Sequence, residues 1–159
     1  MNPVAPTASS VLAQLRQIIK DYNYWGQSES DSPLRVRRTK SITDAQILSA
    51  DASMRRRAGV EGYVVPSERV IREETLFDAF SPLVEQSRIE IRDMNGEIED
   101  LRTPVETLEY YVQLYSTFLP LPDTKVCYVD ADNDPYVGLF IIGYIGTESV
   151  VAQALLVQT

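Results

Sequence analysis

The stretch YVGLFIIGYIGTESVVAQALLVQT, residues 136–159, decides the fold of this chain. Two runs of β-branched and aromatic residues flank a short turn around Gly146, which is the pattern of a β-hairpin. The first run is apolar at nearly every position, so we expect its strand to be buried on both faces of a covered sheet. The second run continues to Thr159, and we expect the strand to hold this residue and its carboxylate in place.

The segment before this hairpin predicts a helix and another strand. Thr103 is expected to cap the helix, with Pro104 at its first position and Glu106 completing a capping box. Residues 125–130 predict the strand, and the short connections that follow make the sheet antiparallel. We expect the helix to cover one side of the sheet with its apolar face, which consists of Val105, Leu108, Tyr111, Val112, Tyr115, Phe118 and Leu119.

Three more elements are predicted nearer the start of the chain. A helix capped by Ser9 or Ser10 is expected to end near Gly26. A strand follows over residues 34–41, and its arginines mark it as an exposed edge of the sheet. A second helix, capped by the threonine before it, spans residues 44–58 and ends in three arginines that suit the helix dipole.

The middle of the chain predicts a further helix and a second hairpin. Residues 73–86 predict the helix, although Pro82 either breaks it or opens a second turn. The pair Asn95-Gly96 lies between partly alternating flanks, which predicts a second, more exposed hairpin over residues 88–98.

Length and composition indicate one acidic domain. The chain has 159 residues, 44% of them hydrophobic, so we expect a disordered lead-in over residues 1–8 and a single domain over residues 9–159. The formal net charge of −8 disfavours direct contact with nucleic acid and favours a basic partner. We see no signal peptide or membrane span, and therefore expect no membrane partner. Cys127 is the only cysteine, which excludes an internal disulfide and fits a reducing, cytoplasmic location.

The chemical inventory favours binding over catalysis. The chain has no histidine, the commonest general base, so we expect a protein that is not an enzyme and has no cofactor and no metal of its own. Asp130, Asp132 and Asp134 resemble the front half of a calcium loop. Pro135 stands where that loop needs glycine, however, and Ile141 stands where it needs glutamate, so we interpret the run as an acidic turn between strands.

Nine of the fifteen basic residues lie within residues 35–72, and Arg55, Arg56 and Arg57 are the densest group among them. This segment is either a binding site for an acidic surface or phosphate, or an edge strand followed by a charge-matched helix end. We prefer the second interpretation.

Residues 27–33 form a polar loop that is rich in serine. It is either a solvated turn or a loop that projects Glu29 or Asp31 into a partner. The aromatic residues just before it are expected to pack in the core and at its rim, and they are Tyr22, Tyr24 and Trp25.

Three regions, about half of the chain, resemble one family. The first, residues 11–33, is an amphipathic helix followed by a Ser-Glu-Ser-Asp loop where the family has Ser-Glu-Ser-Glu. The second is the strand at residues 125–130 with the helix before it. In the third, residues 136–159, Tyr136-Val137 and Ile142-Gly143 match family residues, and the chain closes on Val-Gln-Thr where the family type sequence has Val-Glu-Thr. The chain therefore resembles the nuclease A inhibitor family, which inhibits a sugar-non-specific, magnesium-dependent nuclease.

The resemblance implies both a fold and a function. The family fold is a three-layer αβα sandwich around a mainly antiparallel sheet, similar to that of the plant pathogenesis-related proteins. Its members plug the active site of the nuclease. By position, Thr159 would reach the magnesium ion of the nuclease and Glu29 would also enter the site. The partner-binding residues that we expect are Ser28, Glu29, Ser30, Asp31, Gln158 and Thr159.

Residues 35–100 match the family poorly and carry the whole basic segment. If this surface faced a basic nuclease it would weaken binding. The alternative hypothesis is therefore a non-catalytic binding module of the same fold that binds a different partner through Arg55, Arg56 and Arg57.

Overall fold

The computed structural model describes residues 5–30, 32–93 and 98–158, and for residues 98–102 only the backbone. Within these residues the chain forms an antiparallel sheet and four helices, so the predicted α+β class is confirmed. The helices are α1 (Ala8–Asp21), α2 (Asp44–Ala58), α3 (Leu76–Asp93) and α4 (Ile98–Phe118). The strands are β1 (Arg35–Lys40), β2 (Val70–Glu74), β3 (Asp123–Asp130), β4 (Tyr136–Ile145) and β5 (Glu148–Val157).

The C-terminal hairpin forms the middle of the sheet, whose strand order is β1-β5-β4-β3-β2. β4 and β5 pair from Tyr136 opposite Val157 to Ile145 opposite Glu148. The connection is a two-residue turn in which Gly146 has φ 59°, a left-handed conformation that favours glycine. The predicted hairpin is confirmed, and β1 lies at an edge as its arginines predicted.

Both faces of β4 are buried, as its continuous apolar run predicts. Leu139 and Ile141 belong to one hydrophobic cluster, and Phe140 and Ile142 belong to the other. Helices α1, α3 and α4 contribute residues to the first cluster, whereas α2 contributes to the second. The alternation follows from the geometry of a strand, in which successive side chains point to opposite faces.

The first two helices are largely as predicted. Thr7 caps α1, in a capping box with Ser10, so neither Ser9 nor Ser10 is the cap. α1 also ends five residues before Gly26, because the segment after Asp21 adopts an extended conformation at Tyr22. The bounds predicted for α2 are confirmed, with a capping box in which the threonine before the helix pairs with Gln46.

The hairpin predicted over residues 88–98 is wrong, and its Asn95-Gly96 tip lies outside the described residues. Residues 88–93 continue α3, where the i,i+3 ion pair of Glu85 and Arg88 suits a helix. The start predicted for α3 is also too early, because β2 includes Glu73 and Glu74. Pro82 lies inside α3 without ending it.

The N-cap predicted at Thr103 is also wrong, since α4 already begins at Ile98 and contains Pro104. Its buried face runs through Tyr110, Leu114 and Phe118, at successive i,i+4 positions. Two members of the predicted apolar face, Val112 and Leu119, are exposed. The buried stripe is therefore shifted from the predicted face, although Tyr111 and Phe118 belong to both. In the part of the chain that the structure describes, no helix has both the length and the apolarity to cross a membrane.

Candidate functional site

The polar loop after α1 lies against the end of β5. The backbone N–H of Glu29 donates to the carbonyl oxygen of Val157 at 2.8 Å. The N–H of Val157 in turn donates to the Ser28 hydroxyl at 2.9 Å. Two regions that the sequence analysis selected separately are thus joined by hydrogen bonds, and one of these bonds connects residues 129 positions apart.

Ser32 anchors this loop to β5, a role that the sequence analysis missed. Its hydroxyl donates to the carbonyl oxygen of Leu155 at 2.8 Å, and its side chain is buried. A hydroxyl has one hydrogen, so the oxygen of Ser32 accepts from the hydroxyls of Ser28 and Ser30, which lie within hydrogen-bond distance. Ser32 has φ 42°, a left-handed conformation that is uncommon for serine. The spacing of the serines was the available signal, but it did not indicate which hydroxyl would be buried.

The start of the loop is held by the aromatic core. Trp25 is fully buried and packs edge-on against Phe80 and Tyr111. The next N–H, that of Gly26, donates to the Tyr111 hydroxyl at 2.9 Å. Burial raises the pKa of Tyr111, so its hydroxyl stays protonated at neutral pH. These contacts fix the start of the loop against the core. The predicted packing of Trp25 in the core is confirmed.

Gln158 lies next to the loop, beyond the end of β5. Its N–H donates to the carbonyl oxygen of Pro135 at 2.7 Å, and its side-chain amide donates to the carbonyl oxygen of Gln27 at 3.1 Å. Glu29, Ser30 and Gln158 are all exposed. The structure thus brings four of the six predicted partner-binding residues to one place, whereas Asp31 and Thr159 lie outside the described residues. We call the exposed surface formed by residues 27–30 and 158 the loop–terminus surface.

A cavity of about 410 Å³ adjoins the loop–terminus surface, between Gln158 and the edge strand β2. Arg72 lies in its wall, 4.4 Å above the centre of the Tyr128 ring, and donates to Asp130 at 2.9 Å. The hydrogen bond from Arg72 to Asp130 raises the pKa of the guanidinium group, and burial raises the pKa of Tyr128 to about 12. Neither group changes protonation near neutral pH, so this wall offers fixed charge and no proton transfer.

The described residues of this surface can therefore present oxygen atoms to a partner. Among the described residues, no group of three or more His, Cys, Asp or Glu side chains could hold a metal ion. Cys127 is buried in the sheet, where burial raises the pKa of its thiol to about 11. A protonated, inaccessible thiol is a poor nucleophile.

The three arginines proposed as the alternative partner site do not share a surface. Arg56 and Arg57 are exposed, but Arg55 is 0% exposed. Arg55 donates to Asp51 at 2.8 Å, to Asp134 at 2.8 Å and to the carbonyl oxygen of Val129 at 2.9 Å. Arg55 therefore ties α2 to the acidic turn between β3 and β4, and it is not available to a partner.

Asp51 is the second buried charge in this network. One of its oxygens accepts from Arg55 and from Arg69, the latter at 2.7 Å. The other oxygen packs against Gly138, where any Cβ atom would collide with it. Ile47, Asp51 and Arg55 are buried and follow the spacing of one helix face. Because two of these residues are charged, the sequence analysis did not assign them to the buried face of α2.

No protein-family model, no curated protein and no solved structure matches the chain.

Proposed function

We propose that the protein is a non-enzymatic inhibitor that occludes the active site of a metal-dependent, sugar-non-specific nuclease. The observation that carries the proposal is the hydrogen-bonded contact between Glu29 and Val157, which places Glu29 beside Gln158 on the loop–terminus surface. The family resemblance assigns Glu29 to the contact with the nuclease, and Gln158 is one of the residues that we expect to bind beside it.

Elementary electrostatics supports this partner. A nuclease active site attracts phosphate, so a protein with a net charge of −8 is steered towards it. Magnesium prefers hard oxygen ligands, and the carboxylate of Glu29 is one. Because Ser32 and Tyr111 already hold the loop, less conformational entropy is lost when it binds.

The three-layer αβα sandwich is part of the same proposal. It is supported by the division of the helices between two hydrophobic clusters, with α2 in one and α1, α3 and α4 in the other. We also propose a cytoplasmic location, which suits a chain with a single cysteine in a buried, reduced state.

The test is a titration of a magnesium-dependent, sugar-non-specific nuclease with the wild-type protein. We expect stoichiometric loss of nuclease activity. Glu29→Gln should weaken inhibition at least about tenfold, since a charged contact in an occluded site is lost. Deletion of Thr159 should weaken it as well.

Glu61→Gln is the matched control, because Glu61 is also an exposed glutamate but lies in the loop between α2 and β2. It changes the net charge by the same amount and should leave inhibition intact. If Glu29→Gln and Glu61→Gln weakened inhibition equally, Glu29 would contribute only through the net charge of the protein. Failure of the wild-type protein to inhibit would contradict the proposal for that nuclease.

A further inference from the structure

Two cavities lie side by side at the β1 edge of the sheet, between β1 and α2. Their volumes are about 330 Å³ and about 260 Å³, and Arg57 and Gln153 line both. Arg37 lines the first cavity and Arg35 lines the second. The two together form one groove that follows β1, and we call it the β1 groove.

The arginines of the β1 groove differ from most others in this protein. Within the described residues, Arg35, Arg37 and Arg57 form no ion pair, whereas every one of the following arginines contacts a carboxylate: Arg38, Arg55, Arg69, Arg72, Arg88 and Arg92. Arg37 donates to the amide oxygen of Gln153 at 2.9 Å, and among the described residues Nε is its only donating side-chain nitrogen. Its terminal nitrogens remain available to an anion. In the part of the chain that the structure describes, an acidic protein thus keeps three cations together without acidic partners.

The groove is elongated and lies beside an open strand edge. Within the described ranges, β1 pairs with β5 on one side only, so its other side presents backbone N–H and C=O groups that a further strand could pair with. Arg35 and Arg37 are two residues apart on one strand and therefore lie on the same face, roughly 7 Å apart. An added strand with carboxylates at alternate positions has the same spacing.

We propose that the β1 groove binds an extended acidic segment of another protein, which adds to β1 as a strand and places alternate carboxylates against Arg35, Arg37 and Arg57. Partial burial lowers the pKa of Arg37, as expected for a cation held without a carboxylate. This partner would bind at the opposite edge of the sheet from β2, and the proposal does not depend on the nuclease.

A second copy of this chain is a poor occupant. Two β1 edges would bring arginines together, and like charges repel. The other edge, β2, has Glu73 and Glu74, but these already pair with Lys125 and Arg72. Pairing of β1 with β2 would also be head-to-tail and would tend to continue into a filament.

The experiment measures binding of the full-length protein to a peptide of about seven residues, a usual strand length, in which glutamate alternates with threonine. Calorimetry gives the affinity, and amide hydrogen exchange reports on β1. We expect saturable binding and slower exchange at β1. Arg37→Glu and Arg57→Glu should each weaken binding at least about fivefold, since attraction is replaced by repulsion.

Arg56→Glu is the matched control, because Arg56 is exposed on the same helical turn but lines neither cavity. It should leave binding within about twofold of the wild type. Arg35→Glu gives a second test at an exposed position if Arg37→Glu disturbs the fold. Circular dichroism checks folding in every case.

Other probes distinguish the possible outcomes. Equal binding of the matching glutamine peptide would overturn the proposal, as would equal weakening by Arg56→Glu. A peptide with all its glutamates in one block should bind more weakly, and if it binds equally well without slowing exchange at β1, strand addition is wrong. Binding of inorganic triphosphate in place of the peptide, with the same dependence on the arginines, would make this a phosphate site and overturn the proposed partner.

Discussion

At the scale of single residues, Ser32 shows most directly how the loop–terminus surface is held. One buried hydroxyl connects Ser28 and Ser30 to the carbonyl oxygen of Leu155. The preorganisation invoked for nuclease binding therefore depends on a residue that does not itself reach the surface.

Two substitutions of Ser32 distinguish the effect of its hydrogen bonds on stability from the effect of its backbone conformation. Ser32→Ala removes a buried hydrogen bond and should lower the free energy of unfolding by about 1–2 kcal/mol. Ser32→Gly removes the same hydroxyl but relieves the left-handed φ, so it should be less destabilising by roughly 1 kcal/mol. Urea denaturation of both variants provides the measurement. A glycine variant less stable than the alanine variant would contradict this account of φ.

The buried thiol of Cys127 predicts that the free energy of unfolding depends on pH. Burial raises the pKa of the thiol to about 11, from its ordinary value of 9.0. Because the folded state holds the proton more tightly, the thiol's contribution to stability is complete below about pH 9 and is lost as the pH rises through about 11. The stability difference between the wild type and Cys127→Ala should therefore shrink over this range.

The measurement is urea denaturation of both proteins at several pH values between about 8 and 11. Tyrosines titrate in both proteins, so their effect cancels in the difference. A difference that stays constant with pH would show that the thiol titrates as in the unfolded chain.

At the scale of elements, patterns that depend only on neighbouring residues predicted well. The hairpin β4–β5, the bounds of α2 and the strand at β1 all follow from local alternation, turn chemistry or capping. The errors are concentrated between β2 and α4, where Asn95-Gly96 and Pro104 are strong local signals within segments whose flanks are helical. Extended helical packing overrode these signals.

Pro82 offers a test at this scale. It is exposed inside α3 and lacks the N–H that would bond to the carbonyl of Asp78. Pro82→Ala should therefore raise the free energy of unfolding by about 1–3 kcal/mol. Pro66→Ala is the control, because Pro66 lies in a loop, where loss of proline should be neutral or destabilising by up to about 1 kcal/mol. Thermal and urea unfolding would show the opposite signs, and a destabilised Pro82→Ala would contradict the prediction.

At the scale of the whole molecule, charge is distributed unevenly around the sheet. The net charge is −8, yet the β1 groove collects three arginines that lack a carboxylate partner within the described part of the chain. The loop–terminus surface and the β1 groove approach each other at Ser32, which anchors the loop and also lines the second cavity of the groove. Arg37 lines the first cavity, which Ser32 does not line. Arg37→Glu should accordingly leave nuclease inhibition unchanged.

Net charge also predicts how the proposed inhibition responds to salt. Electrostatic steering should make the association rate constant with the nuclease fall about tenfold between about 50 mM and about 500 mM salt. The dissociation rate constant should change much less, because close contacts are screened less. Stopped-flow mixing over this range provides the measurement. An association rate that does not depend on salt would argue against steering by the acidic surface.

The sequence by itself determined the acidic character, the lack of a histidine, and the elements whose patterns are local, above all the hairpin at residues 136–157. Only the tertiary structure decided that Ser28 and Glu29 meet Val157, that Ser32 is the buried anchor, and that Arg55 is an interior residue rather than part of a surface. The physical reason is that local periodicity and turn chemistry specify which element forms. The pairing of hydrogen bonds and charges between distant segments depends on which faces the packed core buries.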